Sequence, residues 1–118
     1  MRQLYLHLYL LLTVLLSGLG LVHVAMTFAL FDVLSSRAIW FASGGLAMIL
    51  TGVINLLNRA YGAAAPGVRW AAFGANLAMT VFAALAGIAG AASAAQQILI
   101  VGLMIITTLL SWWLPVSA

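Results

Sequence analysis

The sequence contains no cysteine and very few charged residues. Without cysteine the chain cannot form disulfides or thiolate metal sites, and it has no cysteine nucleophile. Four basic residues and one acidic residue make up 4% of the chain, whereas about 25% of the residues of an average globular protein are charged. So little charge excludes a soluble enzyme, and the arginines stand singly, which excludes a basic patch for nucleic acid.

Hydrophobic residues instead make up 67% of the 118 residues, and they collect in four long runs. A helix needs about 20 apolar residues to cross a hydrocarbon core about 30 Å thick. The sequence therefore predicts an all-α fold: one transmembrane domain over residues 1–118 that forms an integral membrane four-helix antiparallel bundle. The predicted spans cover about 4–31, 38–57, 70–91 and 98–114, with a cytoplasmic loop at 58–69.

Three breaks separate the spans, and they differ in strength. Ser35 or Ser36 is expected to cap the second helix, and Pro66 belongs to a typical loop sequence before the third. The last break, residues 90–97, contains small residues and two glutamines but no charge. An alternative with three helices, in which one long bent segment follows Arg69, therefore stays open.

The arginines predict the orientation in the membrane. With four spans, Arg2, Arg59 and Arg69 lie on one side. Arg37 lies on the other side, beside Asp32, with which it can form an exposed ion pair. Because positive charge is retained in the cytoplasm, we predict a multi-pass protein of the cell (inner) membrane with both termini cytoplasmic. Arg59 and Arg69 are expected to bind anionic lipid headgroups, at about 1 kcal/mol each.

Small residues spaced four apart predict how the helices pack. In lipid, helices associate through close backbone contact and interhelical hydrogen bonds, because burying apolar surface gains little there. The third helix carries several such pairs, among them Gly74 with Ala78 and Ala83 with Gly87. The second and third helices are therefore predicted to form the tight centre of the bundle, while the first and fourth face more lipid.

A few polar side chains fall inside the spans. Counting a rise of about 1.5 Å per residue from the cytoplasmic ends places Asn55, Asn76 and Thr107 at a similar depth. An amide without a partner in hydrocarbon costs about 4–8 kcal/mol, so the two asparagines are expected to turn inward and meet, with a threonine in the same layer. Together they form either a structural clamp or the lining of a ligand site or pore.

His23 is the most informative single position. It lies about 12 Å below the predicted outer membrane edge, at the level of Ser43 and Gly44 in the second helix. Ionisable residues at such depth usually face the bundle interior and mark pathways or ligand sites. The ring could ligate haem, relay protons, or contact a headgroup or quinone. The alternative is a neutral structural histidine, because no other residue has metal-ligand spacing around it.

Three functional hypotheses follow, and none includes a catalytic residue, because no span contains an acidic side chain. The first is a non-catalytic module that oligomerises or joins a larger membrane complex, with membrane lipid as its ligand and without metal, cofactor or nucleic acid. The second is a small oligomeric channel or facilitator for a small solute. The third is a haem- or quinone-binding redox subunit. The ligand or pore-lining candidates are His23, Ser43, Asn55, Asn76 and Thr107, and the haem ligand is His23.

Overall fold

Four helices make up the regular structure of residues 1–116, the part of the chain that the computed structural model describes. They are α1 (Arg2–Leu30), α2 (Ser36–Tyr61), α3 (Pro66–Ile88) and α4 (Ala94–Val116). Each contains a stretch long and apolar enough to cross a membrane, with a mean hydropathy between 1.7 and 2.1. The bundle is 48 Å long, which suits a bilayer about 40–45 Å thick including its headgroups. The predicted all-α fold with four membrane-length helices is confirmed.

The connection between α2 and α3 is shorter than predicted. α2 continues to Tyr61 and α3 begins at Pro66, so residues 62–65 join them instead of the predicted loop at 58–69. Proline suits the first position of a helix, because the backbone N–H at that position has no partner within the helix. Asn58 consequently lies inside α2, where its side chain is buried.

Ser35, one of the two predicted caps, caps the start of α2: its Oγ accepts a hydrogen bond from the backbone N–H of Ala38 at 3.2 Å. Asp32 and Arg37, on the same turn, are both exposed. Within residues 1–116 they form no ion pair with each other. An exposed pair contributes only about 0–1 kcal/mol, so the capping serine, rather than the charges, orders this turn.

The chain reverses between α3 and α4 at a glycine. Gly90 has a φ of +75°, and the N–H of Ala91 donates to the carbonyl of Ala86 at 2.9 Å, as in a Schellman motif. Ser93 and Gln96 then form a reciprocal capping box before α4, with N–H to side-chain oxygen distances of 3.0 and 3.2 Å. α3 and α4 are therefore two separate helices, rather than the one long bent segment of the three-helix alternative.

The closest helix pair is α1 with α2, and the prediction of a tight centre between α2 and α3 was wrong. Gly20 and Gly45 face each other: a Cβ atom at Gly20 would lie 2.6 Å from the Gly45 carbonyl oxygen. Gly74 of α3, in contrast, has no neighbouring atom within 4 Å of its Cβ position. Small-residue spacing marks a face that permits close approach, but it does not say which helix occupies that face.

Candidate functional site

Two asparagine side chains meet in the buried centre of the bundle. Asn55 of α2 donates from Nδ2 to Oδ1 of Asn76 in α3 at 2.7 Å, and Asn76 Nδ2 donates back to Asn55 Oδ1 at 2.8 Å. Both residues are completely buried. The predicted meeting of these two amides is confirmed, and its physical cause is the cost of leaving an amide unpaired in an apolar medium.

A tyrosine and a third asparagine connect this pair to the other two helices. Tyr9 of α1 donates its hydroxyl to Asn55 Oδ1 at 2.5 Å. Asn58, one helical turn after Asn55, donates from Nδ2 to the Tyr9 hydroxyl at 3.0 Å and to the Ser111 carbonyl of α4 at 2.8 Å. We refer to Tyr9, Asn55, Asn58 and Asn76 as the amide network. Through these bonds it links all four helices.

Every hydrogen-bonding position of the Asn55 side chain is occupied. Its Oδ1 accepts from Tyr9 and Asn76, while its Nδ2 donates to Asn76 and, at 2.8 Å, to the carbonyl of Thr51. A side-chain amide offers two donors and two acceptor lone pairs, so Asn55 has none left for a solute. In this arrangement the Asn55–Asn76 pair clamps α2 to α3.

Asn58 differs from Asn55, because its buried Oδ1 has no hydrogen-bond partner among the described residues. The orientation of this amide is well defined, since the Ser111 carbonyl can only accept and therefore faces Nδ2. Gly62, one turn later, lies against Oδ1, and a Cβ atom at Gly62 would overlap this oxygen. A buried acceptor without a donor costs about 1–3 kcal/mol. Oδ1 is thus the atom of the network with capacity for another partner.

Sequence reasoning misses Tyr9 and Asn58. The pattern of aromatic residues near helix ends assigns Tyr9 to the membrane interface, and the loop signature assigns Asn58 to the connection between helices. The three-residue spacing from Asn55 places Asn58 on the same helical face, which could have identified it once α2 was extended. Nothing in the sequence indicates that Tyr9 turns inward.

The threonine whose hydroxyl hydrogen-bonds a residue of the amide network is Thr80, and not the predicted Thr107. Thr107 donates its hydroxyl to the Leu103 carbonyl of its own helix at 2.7 Å. Thr80 of α3 donates to the Asn76 carbonyl at 2.7 Å, and its Oγ1 lies 3.4 Å from that of Thr108 in α4. The structure therefore brings Asn55 and Asn76 together, while the Thr107 hydroxyl makes no hydrogen bond to their amides.

His23 lies against α2 in the half of the bundle nearer the turn between α1 and α2. Its half-buried ring stacks on Phe41, with the centroids 4.0 Å apart and the planes inclined by 15°. Gly44 provides room for the ring, since a Cβ atom there would lie 3.4 Å from Nε2. Ser43 lies at the predicted level, but its hydroxyl donates to the carbonyl of Trp40 in its own helix at 2.7 Å. The structure thus places Gly44, and not the Ser43 hydroxyl, against the ring.

The two arginines predicted to bind headgroups have different surroundings. The guanidinium of Arg69 lies over the ring of Trp112, 5.1 Å from its centroid. Arg59 is exposed, and its Nε donates to the Leu6 carbonyl at 3.2 Å. Arg59 also borders a cavity of about 180 Å³ to which Arg2 contributes. The arginines that share a cavity are therefore Arg2 and Arg59.

Comparisons with protein-family models, curated proteins and solved structures found no match. In residues 1–116, no three His, Cys, Asp or Glu side chains are grouped as a metal site requires. The amide network consists of neutral hydroxyl and amide groups, which bind by hydrogen bonds and carry no charge near neutral pH. Such a set of groups suits helix cohesion and the binding of a polar group at its open end.

Proposed function

We propose that this chain is a small non-catalytic membrane module that associates with another transmembrane segment, first of all a second copy of itself, through one face of α3. The supporting observation is a strip of exposed small residues. At about 100° per residue its members fall within a sector of about 60°, and no atom lies within 4 Å of the Cβ positions of its two glycines. The α3 strip consists of Gly67, Ala71, Gly74 and Ala78.

Small residues carry this proposal, because exposed apolar surface alone says little in a membrane. Acyl chains cover large apolar side chains, whereas small residues let a second helix backbone approach closely. Gly20, Gly45 and Gly52 are already used within the chain, since a Cβ atom on each would overlap a neighbouring helix. Only 11% of the most apolar stretch of α3 is buried, against 22% to 28% in the other three helices. The α3 strip is thus small-residue surface that the single chain leaves open.

Large side chains border the α3 strip on both sides. Trp70 and Phe82 are 59% and 65% exposed. Phe82 also borders a groove of about 420 Å³ between α2 and α3, where Trp40 forms the opposite wall. A helix seated on the strip would contact backbone at its centre and aromatic rings at its edges. A twofold pair of copies would place strip against strip, as in most homo-oligomers.

The other two hypotheses have less support from the geometry. A pore lined by Asn55 and Asn76 requires their amides to face an aqueous path, whereas each amide bonds the other. The His23 ring stacks on Phe41 and lies beside Gly44 at Nε2, and neither neighbour brings a polar side chain to it. A Soret absorption band that disappears in His23→Ala would favour the haem hypothesis over association.

Cysteine cross-linking tests the proposal, because the chain has no native cysteine. In liposomes under mild oxidation, Ala78→Cys is expected to form disulfide-linked dimers. Leu15→Cys serves as the control, because Leu15 is 46% exposed on α1 at a similar distance from the ends of its helix. If both variants cross-link equally, the copies meet at random and the α3 strip is not the interface.

Substitution of glycines that have no neighbouring atom near the Cβ position provides a second test of association through the α3 strip. Gly74 and Gly102 both have no atom within 4 Å of the Cβ position, but only Gly74 belongs to the α3 strip. Overpacking a close interface costs about 1–3 kcal/mol, so Gly74→Leu should weaken association about tenfold, as measured by energy transfer between labelled copies during dilution with lipid. Gly102→Leu should leave it unchanged. Equal behaviour of the two variants would overturn the proposal.

A further inference from the structure

The cavity beside Arg59 has the composition of an anion site. Its volume of about 180 Å³ is well above the roughly 10–15 Å³ that one buried water needs. Arg2 and Arg59 both border it, and both residues are exposed. The one acidic residue of the chain, Asp32, lies in the turn between α1 and α2, at the far end of both helices. Among residues 1–116, the two positive charges at the cavity therefore have no acidic side chain beside them.

The guanidinium of Arg59 is held at the cavity in a position to bind a ligand. Its Nε donates to the Leu6 carbonyl at 3.2 Å, and Leu6 itself borders the cavity. No partner among the described residues occupies the two terminal nitrogens of Arg59. Guanidinium N–H groups bind phosphate oxygens in pairs, so these nitrogens suit a phosphate.

Two residues of the amide network also lie at the cavity. Tyr9 and Asn58 both line it, and Asn58 is only 1% exposed, with an Oδ1 that has no partner among the described residues. A carbonyl oxygen accepts hydrogen bonds and repels phosphate oxygens, so it requires a donor such as a hydroxyl. A ligand that satisfies the whole cavity therefore combines an anionic group with a hydroxyl.

An apolar groove adjoins the cavity between α1 and α4. It has a volume of about 220 Å³, and it shares Arg2 and Leu114 with the cavity. Its walls include Tyr5 and Trp113, whose rings pack edge to face with centroids 5.0 Å apart. A small free anion would leave this groove unused, whereas a molecule with a charged head and a hydrocarbon chain would fill both spaces.

We infer that the cavity and the groove together bind one anionic phospholipid whose headgroup carries a hydroxyl, as in phosphatidylglycerol. The phosphate lies between Arg2 and Arg59, the hydroxyl faces Asn58 Oδ1, and the start of one acyl chain occupies the groove. No residue of α3 takes part, so this site is independent of association through the α3 strip. Gly74→Leu should accordingly change the lipid affinity by less than about twofold.

Native mass spectrometry of the purified chain, titrated with single lipids, tests this inference. Phosphatidylglycerol should bind more tightly than phosphatidylcholine. It should also bind about fivefold more tightly than phosphatidylmethanol, which has the same charge but no headgroup hydroxyl, because one hydrogen bond is lost. Glycerol 3-phosphate should compete only at far higher concentration than the lipid, because it cannot fill the apolar groove.

Variants at the exposed arginines locate the site on the chain. Arg2→Gln and Arg59→Gln should each lower the affinity for phosphatidylglycerol about fivefold, the effect of one cation beside an anionic lipid. Arg37→Gln removes the same charge at the other end of the bundle and should change the affinity by less than about twofold. Circular dichroism checks that each variant keeps its helical content.

Three results would overturn the inference. Equal losses in all three arginine variants would mean that lipid responds to net charge and not to this cavity. Equal affinity for phosphatidylglycerol and phosphatidylmethanol would remove the role assigned to Asn58. Competition by glycerol 3-phosphate at the same concentration as the lipid would assign the cavity to a soluble phosphate ester instead.

Discussion

Replacement of Asn76 by leucine is the most direct perturbation of the amide network. The change removes both hydrogen bonds between α2 and α3, which measure 2.7 and 2.8 Å. It also leaves one Nδ2 hydrogen of Asn55 unpaired, while the other still bonds the Thr51 carbonyl. Leucine has the same number and branching of side-chain heavy atoms as asparagine and is apolar, so the loss is mainly one of hydrogen bonding.

The expected loss of unfolding free energy in Asn76→Leu is the sum of two contributions. Interhelical hydrogen bonds in membrane proteins average about 0.6 kcal/mol, so the two lost bonds account for about 1 kcal/mol. A buried donor left without a partner adds about 1 kcal/mol, at the lower end of the usual range, because half of the Asn55 amide stays bonded. Asn76→Leu should therefore lower the free energy of unfolding by about 2 kcal/mol.

Unfolding in mixed micelles with increasing denaturing detergent measures this change. Thr107→Val is the matched control, because Thr107 is equally buried but donates only to Leu103 of its own helix, and its loss should be below about 0.5 kcal/mol. A double-mutant cycle with Asn55→Leu should show a coupling of about 1 kcal/mol. The assignment of the pair as a clamp would be refuted if Asn76→Leu lost no more unfolding free energy than Thr107→Val. It would also be refuted if the losses of Asn55→Leu and Asn76→Leu simply added in the double mutant.

Three further predictions address the rest of the fold. Tyr9→Phe removes two bonds of the amide network and should cost about 1–2 kcal/mol in the same unfolding assay; an unchanged midpoint would contradict its inward role. Gly20→Ala should lower the free energy of unfolding by about 1–3 kcal/mol, because its Cβ would lie 2.6 Å from a backbone oxygen. Gly18→Ala is the control: the space around Gly18 is open, so this change should leave the free energy of unfolding unchanged or raise it. A cysteine at Ala64 should react with membrane-impermeant reagents from the cytoplasm and one at Leu34 from the opposite side, if the arginine bias sets the orientation; reversed labelling would overturn that orientation.

The pairing of Asn55 with Asn76 was predictable, because it depends only on depth and on the cost of a bare amide in hydrocarbon. Both quantities can be counted along the sequence. The partners Tyr9 and Asn58 depend instead on the rotation of α1 and on the end of α2, and a local sequence pattern determines neither. The Asn55–Asn76 pair could thus be predicted from the sequence, but the contribution of Tyr9 and Asn58, which line the cavity of the inferred lipid site, could not.

For the arginines, too, one part of the site could be read from the sequence and another part depended on the packing of the helices. Their number and their distribution along the chain are read directly from the sequence. Which of them share a cavity depends on the packing of α1 and α4 against α2, which brings Arg2 to Arg59 and places Arg69 over Trp112. A headgroup site requires two cations within reach of one phosphate, so its location could not be predicted from positions along the chain.

The sequence by itself determined that lipid is the solvent, favoured four membrane-spanning helices over three, and indicated that Ser35 or Ser36 caps the second helix. These features depend on local length, hydropathy and backbone preference, which neighbouring residues encode. Only the tertiary structure decided that α1 and α2 meet at Gly20 and Gly45, that Tyr9 turns inward, and that the α3 strip stays open. In a membrane the apolar effect does not favour one helix face over another, so the choice of partner depends on fit between whole helices.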